Sequence, residues 1–112
     1  MSEIFLYLTT IGRKTGLPRQ IEIWFVEHAG AYYLVSEMRE KAQWVQNLRT
    51  NPQVQFSLGT SEAQGLQRPL SPATARPLNA LEDAELIEQV SRLMNAKYNW
   101  SDGLIVEIRP QD

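Results

Sequence analysis

The pattern of apolar positions in the first third of the chain predicts three β-strands. Residues 4–10 and 32–37 are rich in aromatic and β-branched side chains, and residues 21–27 begin with an alternation of apolar and polar positions. The segment that joins the first two strands contains glycine and proline and is predicted to be a loop. Gly30 lies in a short turn that suits a positive φ, so the second and third strands are predicted to form a hairpin.

The spacing of apolar residues changes to three and four after residue 38. Ala42, Val45 and Leu48 lie on one side of a helix that the spacing predicts within residues 39–52. We expect this helix to end at Asn51, because a residue that precedes a proline avoids the α region.

The next part of the chain contains one clear strand and one segment with little pattern. Residues 53–59 alternate strictly between apolar and polar positions, which is typical of a half-buried strand. Residues 60–79 contain three prolines, so we expect either an edge strand with irregular ends or a loop. The inward positions of the clear strand are Val54, Phe56 and Leu58, and the prolines are Pro69, Pro72 and Pro77.

A second helix and a final strand complete the pattern. Residues 80–98 have helical spacing, with Asn79 placed to cap the helix and Glu82 in the position that completes a capping box. Residues 103–110 are predicted to be a strand. The apolar stripe of the helix comprises Leu86, Val90, Leu93 and Met94.

This order of elements predicts a mainly β fold. We expect a small, mostly antiparallel β-barrel with helices that cover its openings. No repeat or long linker divides the sequence, so residues 1–112 are predicted to be a single domain.

Composition narrows the range of functions. The chain is 43% apolar and 21% charged, with a formal net charge of -2, which is typical of a globular protein and argues against general nucleic-acid binding. The absence of cysteine excludes disulfides and thiolate metal sites, and the single histidine, His28, is predicted to be exposed and non-catalytic, so we expect no metal. The N-terminus lacks the basic segment of a signal peptide, and no apolar run approaches the length of a membrane span, so the cytoplasm is the expected compartment.

The loop before the second strand is a candidate anion site. Three cations and two glycines lie close together in the sequence from Thr9 to Gln20, and no acidic residue interrupts them. Charge-assisted hydrogen bonds from lysine and arginine, together with exposed backbone N–H groups, suit a phosphate or a carboxylate. A solvated hairpin tip explains the same residues equally well. The residues concerned are Gly12, Arg13, Lys14, Thr15, Gly16 and Arg19.

A second group of polar residues surrounds the start of the first predicted helix. Ser36 ends the third strand, and Arg39 and Lys41 lie near the helix N-terminus, where cations oppose the macrodipole. An anion between them and the helix would explain that placement, and a solvated first turn would explain it as well. Trp44 and Asn47 share a helix face, and an asparagine inside a helix normally has a specific hydrogen-bonding partner.

Two aromatic residues follow the last helix. Tyr98 and Trp100 either line a flat substrate pocket or pack on the barrel as a lid. The sequence contains no catalytic triad, no convincing pair of carboxylates and no metal-ligand spacing. If the protein is an enzyme, we therefore expect a cofactor to carry the chemistry.

The first half of the sequence resembles the deazaflavin-dependent nitroreductase family, which belongs to the flavin-reductase-like (pyridoxamine phosphate oxidase-like) split β-barrel superfamily. The resemblance covers residues 8–59 and rests on three motifs in a fixed order. These are LTTxGRK(S/T)GxPR, the hairpin WFV…GxYYLV and WxxNL(K/R)xNPxV. It implies a homodimeric split β-barrel of the flavin-reductase or FMN-binding type. Such a barrel would bind a deazaflavin coenzyme of the F420 type near the subunit interface, with FMN as the alternative.

The resemblance also implies roles for individual residues. The phosphate and the acidic tail of the coenzyme would be held by the loop residues Arg13, Lys14, Thr15, Gly16 and Arg19. Residues beside the ring would be Ile23, Trp24, Ser36, Trp44, Asn47 and Leu48. Arg39 and Lys41 would join the loop in one anion-binding surface, and Ser36 and Tyr98 are the candidate catalytic residues.

The function implied is an oxidoreductase that passes a hydride from reduced deazaflavin to an electron-poor small molecule such as a quinone, an enone or a nitroaromatic. Two alternatives stay open at this point. One is a reductase that uses FMN, and the other is a non-catalytic split barrel that carries a flavin or a haem.

Overall fold

A single curled sheet of seven antiparallel strands dominates the described part of the protein, which comprises residues 4–59 and 70–111 of a computed structural model. In the sheet the strands follow the order β2-β1-β5-β6-β7-β4-β3. The strands are Phe5–Ile11 (β1), Pro18–Ile23 (β2), Val26–His28 (β3), Ala31–Ser36 (β4), Gln53–Gly59 (β5), Ser71–Pro77 (β6) and Leu104–Pro110 (β7).

Two α-helices accompany the sheet. They are Gln43–Thr50 (α1) and Ala84–Tyr98 (α2), and a short 3-10 turn, Arg39–Lys41, precedes the first of them. Within the described ranges, neither helix combines the length and the apolar character needed to cross a membrane. The mainly β fold predicted from the sequence is confirmed.

The two edge strands of the sheet are neighbours in sequence. β2 and β3 lie at opposite ends of the strand order, yet only Trp24 and Phe25 separate them. Three Cα–Cα steps span at most about 11 Å, so the sheet must curl until its edges nearly meet. The single strand predicted over residues 21–27 is therefore wrong. It is two strands with a break between them, and β2 begins at Pro18, inside the predicted loop.

The curled sheet has a separate apolar cluster on each face. The inner cluster contains Leu6, Leu8, Leu34, Phe56, Val106 and Ile108, and α1 contributes Val45 and Leu48 to it. Because α1 packs against β1 and β6, it closes one end of the barrel. The outer cluster lies under α2, where Val90 and Met94 pack on Tyr33, Val35 and Ile105.

β6 occupies the middle of the sheet and not an edge, contrary to the sequence-based expectation. Its two prolines lie near its ends, where only one neighbouring strand is paired. Pro72 faces Gln55 of β5 before the register with β7 begins, and Pro77 faces Val106 of β7 after the register with β5 has ended. Each proline therefore stands at the margin of one of the two registers, where a missing N–H disturbs the ladder least, and this is why a central strand tolerates both prolines. Pro69 lies outside the described residues.

Both helices are shorter than the sequence pattern predicts. Ala42 adopts an extended conformation, with φ -61° and ψ 135°, and separates the 3-10 turn from α1. Before α2, the side chain of Asn79 accepts the N–H groups of Leu81 and Glu82, but these residues belong to a turn. The carboxylate of Asp83, and not that of Glu82, returns to the Asn79 N–H at 2.7 Å.

The apolar stripe of α2 also differs in one position. Leu93 is 38% exposed, and Ile87 packs against the outer cluster together with Leu86. Val54 and Phe56 are buried in the inner cluster, and Leu58 packs against it, as the alternation in β5 predicts.

Candidate functional site

Two clefts share Trp44 as a lining residue. The aromatic cleft has a volume of about 700 Å³, and all three tryptophans of the chain line it: Trp24, Trp44 and Trp100. The cationic cleft has a volume of about 350 Å³ and is lined by Arg13, Lys14, Arg19, Asn47 and Trp44, among others. Because Trp44 lines both clefts, a planar group in one and a charged group in the other can belong to the same ligand.

The cationic loop is a six-residue connection between β1 and β2, held by its own hydrogen bonds. The Gly12 N–H donates to the Leu17 carbonyl at 2.8 Å, and the Gly16 N–H donates to the Gly12 carbonyl at 2.8 Å. The Leu17 N–H donates to Thr15 Oγ1 at 3.2 Å. The N–H groups of both glycines are therefore used inside the loop and are not available to an anion.

The two positions in this loop require glycine for different structural reasons. Gly16 has φ +73°, a left-handed conformation that favours glycine. A Cβ on Gly12 would lie 2.8 Å from Thr15 Oγ1 and 3.2 Å from the Leu17 carbonyl oxygen, so the loop closes too tightly there for a side chain. The loop is consequently a shaped scaffold for cationic side chains.

Asn47 connects this loop to α1. Its Oδ1 accepts the Arg13 backbone N–H at 3.2 Å and the Arg13 guanidinium at 2.9 Å, while its Nδ2 donates to Thr10 Oγ1 at 3.3 Å. The asparagine is 4% exposed. These bonds are the specific partners that an asparagine inside a helix requires, and they make Asn47 a residue that positions Arg13.

The charges of the cationic cleft are not neutralised locally. Lys14 in the loop and Arg19 in β2 are exposed, and none of the ion pairs formed within residues 4–59 and 70–111 includes a cation of this cleft. Three positive charges that share one small cleft repel one another, and an anion between them removes that repulsion.

Three residues predicted to belong to the cofactor site line neither cleft. The Arg39 guanidinium forms an ion pair with Asp102 at 2.9 Å and lines a separate cavity of about 530 Å³. Lys41 is exposed and lines neither cleft. Leu48 is 1% exposed in the inner cluster, so the barrel core, and not a ligand, surrounds its side chain.

Ser36 lines the aromatic cleft, but its hydroxyl proton already forms a hydrogen bond elsewhere. Its hydroxyl donates to the Arg39 carbonyl at 3.0 Å and stabilises the turn after β4. Arg39 in this turn has φ +53°. In this arrangement Ser36 presents only acceptor lone pairs to the cleft, which differs from its predicted role as a hydrogen-bond donor.

Tyr98 closes the break between β2 and β3. Its hydroxyl donates to the Phe25 carbonyl at 3.0 Å and accepts the Phe25 N–H at 3.2 Å. Lys97 Nζ donates to the same carbonyl at 2.8 Å. These side chains replace the strand partner that Phe25 lacks at the break. The hydroxyl of Tyr98 is therefore committed to the fold, contrary to its predicted catalytic role.

The ring of Tyr98 also shapes the aromatic cleft. It stacks on Trp24 with a centroid distance of 4.4 Å and an interplanar angle of 1°. Trp100 meets Trp24 edge-on at 6.4 Å and 73°. The result is a rigid aromatic wall that suits a flat ligand.

The sequence analysis missed two acidic residues of this cleft. Glu22 and Glu37 both line it, and the Tyr7 hydroxyl donates to Glu22 Oε2 at 2.8 Å. The sequence does contain an indication for Glu22. Apolar and polar positions alternate through β2 until Ile23, and the alternation ends there because Trp24 follows directly. His28 is half-buried and not exposed as predicted. It hydrogen-bonds Gln89 at 3.1 Å and lines neither cleft.

A buried polar network lies on the outer face, away from both clefts. Glu107 is 3% exposed and accepts hydrogen bonds from the Tyr33 hydroxyl at 2.9 Å and from Arg76 and Arg109 at 3.3 Å each. Burial, assisted by Glu107, raises the pKa of Tyr33 to about 12. Asp83 hydrogen-bonds Arg76 and the Asn79 N–H, and these bonds lower the pKa of its carboxyl group.

The side chains that line the two clefts fit a planar cofactor with an anionic tail. The aromatic cleft provides flat walls, and the cationic cleft provides lysine and arginine side chains that bind phosphate and carboxylate groups. No group of three or more metal-ligating side chains occurs among the described residues.

Several solved structures share this fold. HutZ, the haem storage protein from Vibrio cholerae, is 23% identical, with a TM-score of 0.75 over 96% of this chain and 82% of its own. A putative pyridoxamine 5'-phosphate oxidase from Listeria innocua is 15% identical, with a TM-score of 0.68 over 96% of this chain and 84% of its own. An F420-H2 dependent reductase, FDR-A, is 23% identical, with a TM-score of 0.63 over 94% of this chain and 93% of its own. At these identities the likeness shows a shared split-barrel fold.

Sequence comparison identifies the family. No curated protein matches the chain significantly. The family model described as F420H(2)-dependent quinone reductase matches residues 1–102 of the 112, which extends the resemblance seen in residues 8–59 to nearly the whole chain. The chain therefore belongs to the F420H(2)-dependent quinone reductase family, a family of deazaflavin-dependent reductases.

Proposed function

We propose that this protein binds a reduced deazaflavin coenzyme across both clefts and reduces an electron-poor small molecule, such as a quinone, an enone or a nitroaromatic. The observation that carries the proposal is the position of Trp44, which joins a flat aromatic cleft to an uncompensated cationic cleft. The coenzyme, when bound, supplies the hydride. The protein supplies binding, orientation and exclusion of water.

The cationic cleft would hold the anionic tail. Lys14 and Arg19 would bind it through charge-assisted hydrogen bonds. Arg13 would present the guanidinium N–H groups that Asn47 does not occupy. Thr15 and Gly16 would act through the shape of the loop, since their described hydrogen bonds lie within it.

The aromatic cleft would hold the ring and the acceptor side by side. Ile23 and Trp44 line it together with the stacked pair Trp24 and Tyr98. This wall would fix the ring plane, and the fixed plane would bring the acceptor into a productive orientation. Ser36 would accept a hydrogen bond from the ring or the substrate, because its own proton is engaged with the Arg39 carbonyl.

FMN is an alternative cofactor for the same site. It has a planar ring and a single phosphate, which the cationic loop would also bind. A haem carrier is a less favoured alternative, although HutZ has the same fold. The only histidine of the chain, His28, lies outside both clefts, so neither cleft offers an imidazole to a haem iron.

A homodimer would complete the aromatic cleft. Met38 is 62% exposed and Trp24 is 39% exposed at this cleft, and Ile4, next to the cleft residue Phe5, is 50% exposed. Apolar side chains grouped in this way are typical of a surface that a partner covers. Light scattering on the purified protein, with and without coenzyme, tests this arrangement.

Titration with the deazaflavin coenzyme and with FMN tests the central proposal. We expect micromolar or tighter binding of the deazaflavin, and we expect a quinone to oxidise the reduced coenzyme when the protein is present. Failure to bind either compound would refute the proposal, whereas tight binding of FMN alone would identify the flavin as the cofactor.

A charge-removal pair tests the role of the cationic cleft. Lys14→Ala with Arg19→Ala removes two charges whose side chains make no described ion pair. It should weaken coenzyme binding by more than about tenfold, since each charged hydrogen bond is worth about 1.5–3 kcal/mol. Arg49→Ala with Arg92→Ala is the matched control, because both arginines are exposed and line neither cleft. Equal affinities of the two double variants would refute tail binding by this loop.

A further inference from the structure

The aromatic cleft has an electrostatic character opposite to that of the cationic cleft. Glu22 and Glu37 line it, and no lysine, arginine or histidine does so among the described residues. The described partner of Glu22 is the Tyr7 hydroxyl, and none of the ion pairs among the described residues includes Glu22. The two clefts that share Trp44 are therefore lined by side chains of opposite charge.

Two cations lie near the aromatic cleft, and each already has a partner. Lys97 Nζ donates to the Phe25 carbonyl and lies 4.2 Å from the centroid of the Phe25 ring and 5.0 Å from that of the Tyr98 ring. Arg39 is paired with Asp102 and lines a different cavity. Neither side chain is among those that line the aromatic cleft.

The polar groups of the cleft are also poorly suited to an anion. The Ser36 hydroxyl donates to the Arg39 carbonyl and the Tyr98 hydroxyl donates to the Phe25 carbonyl, so both protons are engaged outside the cleft. Tryptophan ring faces, in contrast, attract cations through their quadrupole. The cleft thus combines two carboxylates, two engaged hydroxyls and three indole rings.

From this arrangement we infer that the aromatic cleft selects neutral or cationic planar acceptors and rejects anionic ones, with Glu22 and Glu37 as the specificity-determining residues. The inference rests on the proposed function insofar as it names the class of acceptor. The charge selection itself is a property of the cleft and does not require a bound coenzyme. It can therefore be measured in two independent ways.

The first measurement uses the tryptophans as reporters of local charge. All three line the aromatic cleft, and Trp44→Phe removes the one that also borders the cationic cleft, so that Trp24 and Trp100 report. Quenching by iodide, caesium and neutral acrylamide is compared in this background. Glu22→Gln with Glu37→Gln should raise the iodide-to-caesium ratio of quenching constants by about two- to threefold at low salt, because two carboxylates repel iodide and attract caesium. Acrylamide quenching should not change.

The second measurement uses turnover. Rates are compared for 1,4-naphthoquinone, its 2-sulfonate and a derivative with a trimethylammonium group, on the Trp44-containing protein with reduced deazaflavin. The Glu22→Gln, Glu37→Gln variant should gain about threefold or more in kcat/KM for the sulfonate relative to the cationic quinone, and added salt should reduce the difference. Comparing each variant with wild type cancels the intrinsic reactivity of the quinones. Glu82→Gln with Glu85→Gln is the matched control, because both glutamates are exposed and line neither cleft.

The outcomes separate this inference from the proposed function. A change in the quenching ratio without any quinone reduction would support charge selection and refute the reductase activity. Quinone reduction with no change in the quenching ratio or in the sulfonate preference would overturn the inference and leave the reductase activity standing. Equal effects of the cleft pair and the control pair would overturn it too, because the effect would then come from net charge alone.

Discussion

Asn47 holds Arg13 at two points, the backbone N–H at 3.2 Å and the guanidinium at 2.9 Å, both through the same oxygen, Oδ1. The asparagine also donates to Thr10 Oγ1 at 3.3 Å, on the strand that leads into the cationic loop. The helix that closes one end of the barrel therefore also fixes the position of the loop. A shift of α1 would move Arg13 directly.

Two substitutions at this position separate geometry from charge. Asn47→Ala removes the acceptor and the donor, so it should lower the free energy of unfolding by about 1–3 kcal/mol and weaken coenzyme binding as well. Asn47→Asp keeps the acceptor for Arg13 and replaces the donor to Thr10 Oγ1 with an oxygen to which the Thr10 hydroxyl can donate, but it places a negative charge beside the cationic cleft. It should leave stability nearly unchanged and still weaken binding.

Chemical denaturation and coenzyme titration measure the two effects. If Asn47→Asp bound the coenzyme as tightly as wild type, the charge of Arg13 would not contribute to the site. If Asn47→Ala were as stable as wild type, the asparagine would have no positioning role.

We expect the Tyr98 hydroxyl to stabilise the fold and not to take part in catalysis. Tyr98→Phe keeps the ring stacked on Trp24 but removes both hydrogen bonds to Phe25, leaving the break between β2 and β3 held by Lys97 alone. We expect a loss of roughly 1–3 kcal/mol in the free energy of unfolding. The pH dependence of kcat should keep its shape, because the hydroxyl proton is not available to a substrate.

The matching measurement is a pH–rate profile beside a denaturation curve. A missing limb in the kcat profile of Tyr98→Phe, with unchanged stability, would restore the catalytic role expected from the sequence. Lys97→Met is the companion variant, since it removes the other side chain that binds the Phe25 carbonyl and carries no hydroxyl.

Gly103 supports the same cleft through a close backbone approach. A Cβ at this position would lie 2.4 Å from the Ser36 carbonyl oxygen and 2.7 Å from Val35 Cγ1. Gly103→Ala must therefore push β4 away from the chain that enters β7, and overpacking of this kind costs typically about 1–3 kcal/mol. We expect a lower melting temperature and weaker coenzyme binding, because Ser36 lines the aromatic cleft. Gly30→Ala is a useful comparison: it is strained by φ +82° but has open space around it, so it should lower stability without altering binding.

The sequence predicted the fold class because strand periodicity is local information. The alternation of β5 and the apolar runs of β1 and β4 are visible in the sequence. β1 and β4 are buried as their patterns predict, and β5 alternates from Gln53 to Phe56, after which Ser57 is also buried. The central position of β6, in contrast, depends on its pairing with strands that are distant in sequence, so a local pattern cannot predict it. Proline was assigned to an edge by a general rule, and only the register of both neighbours shows that Pro72 and Pro77 each face a single strand.

The candidate site was predictable where the side chain type itself indicates the chemistry. Arg13, Lys14 and Arg19 share a cleft with Asn47, as their types and the family motif suggested. Arg39 was assigned as a cation near a helix N-terminus, and Leu48 was assigned through the family motif. In the structure the extended Ala42 separates Arg39 from α1, and Arg39 pairs with Asp102. Glu22 and Glu37 were missed because their meeting in one cleft depends on how the sheet curls.

The Tyr33–Glu107 hydrogen bond predicts an alkaline transition. Tyr33 is 1% exposed, and burial, with help from Glu107, raises its pKa from 10.0 to about 12. The folded state thus holds this proton more tightly than the unfolded state. The resulting stabilisation is present in full below about pH 10 and is lost as the pH rises towards 12, by up to roughly 2 kcal/mol.

Tyr33→Phe tests this transition. At neutral pH the variant should be less stable by about 1–3 kcal/mol, because Glu107 loses a buried hydrogen-bond donor. Between pH 9 and pH 11.5, however, its free energy of unfolding should fall less than that of wild type, because the variant has no hydroxyl to ionise at this position. Urea denaturation across this range gives the difference, and the ultraviolet absorbance of tyrosinate follows the ionisation in wild type. Tyr98→Phe serves as the control, since it also removes one tyrosine hydroxyl but leaves Glu107 and its partners intact. Parallel pH curves for wild type and Tyr33→Phe would contradict the raised pKa and would assign the alkaline loss of stability to other groups, because the hydroxyl would then ionise equally easily in the folded and unfolded chains.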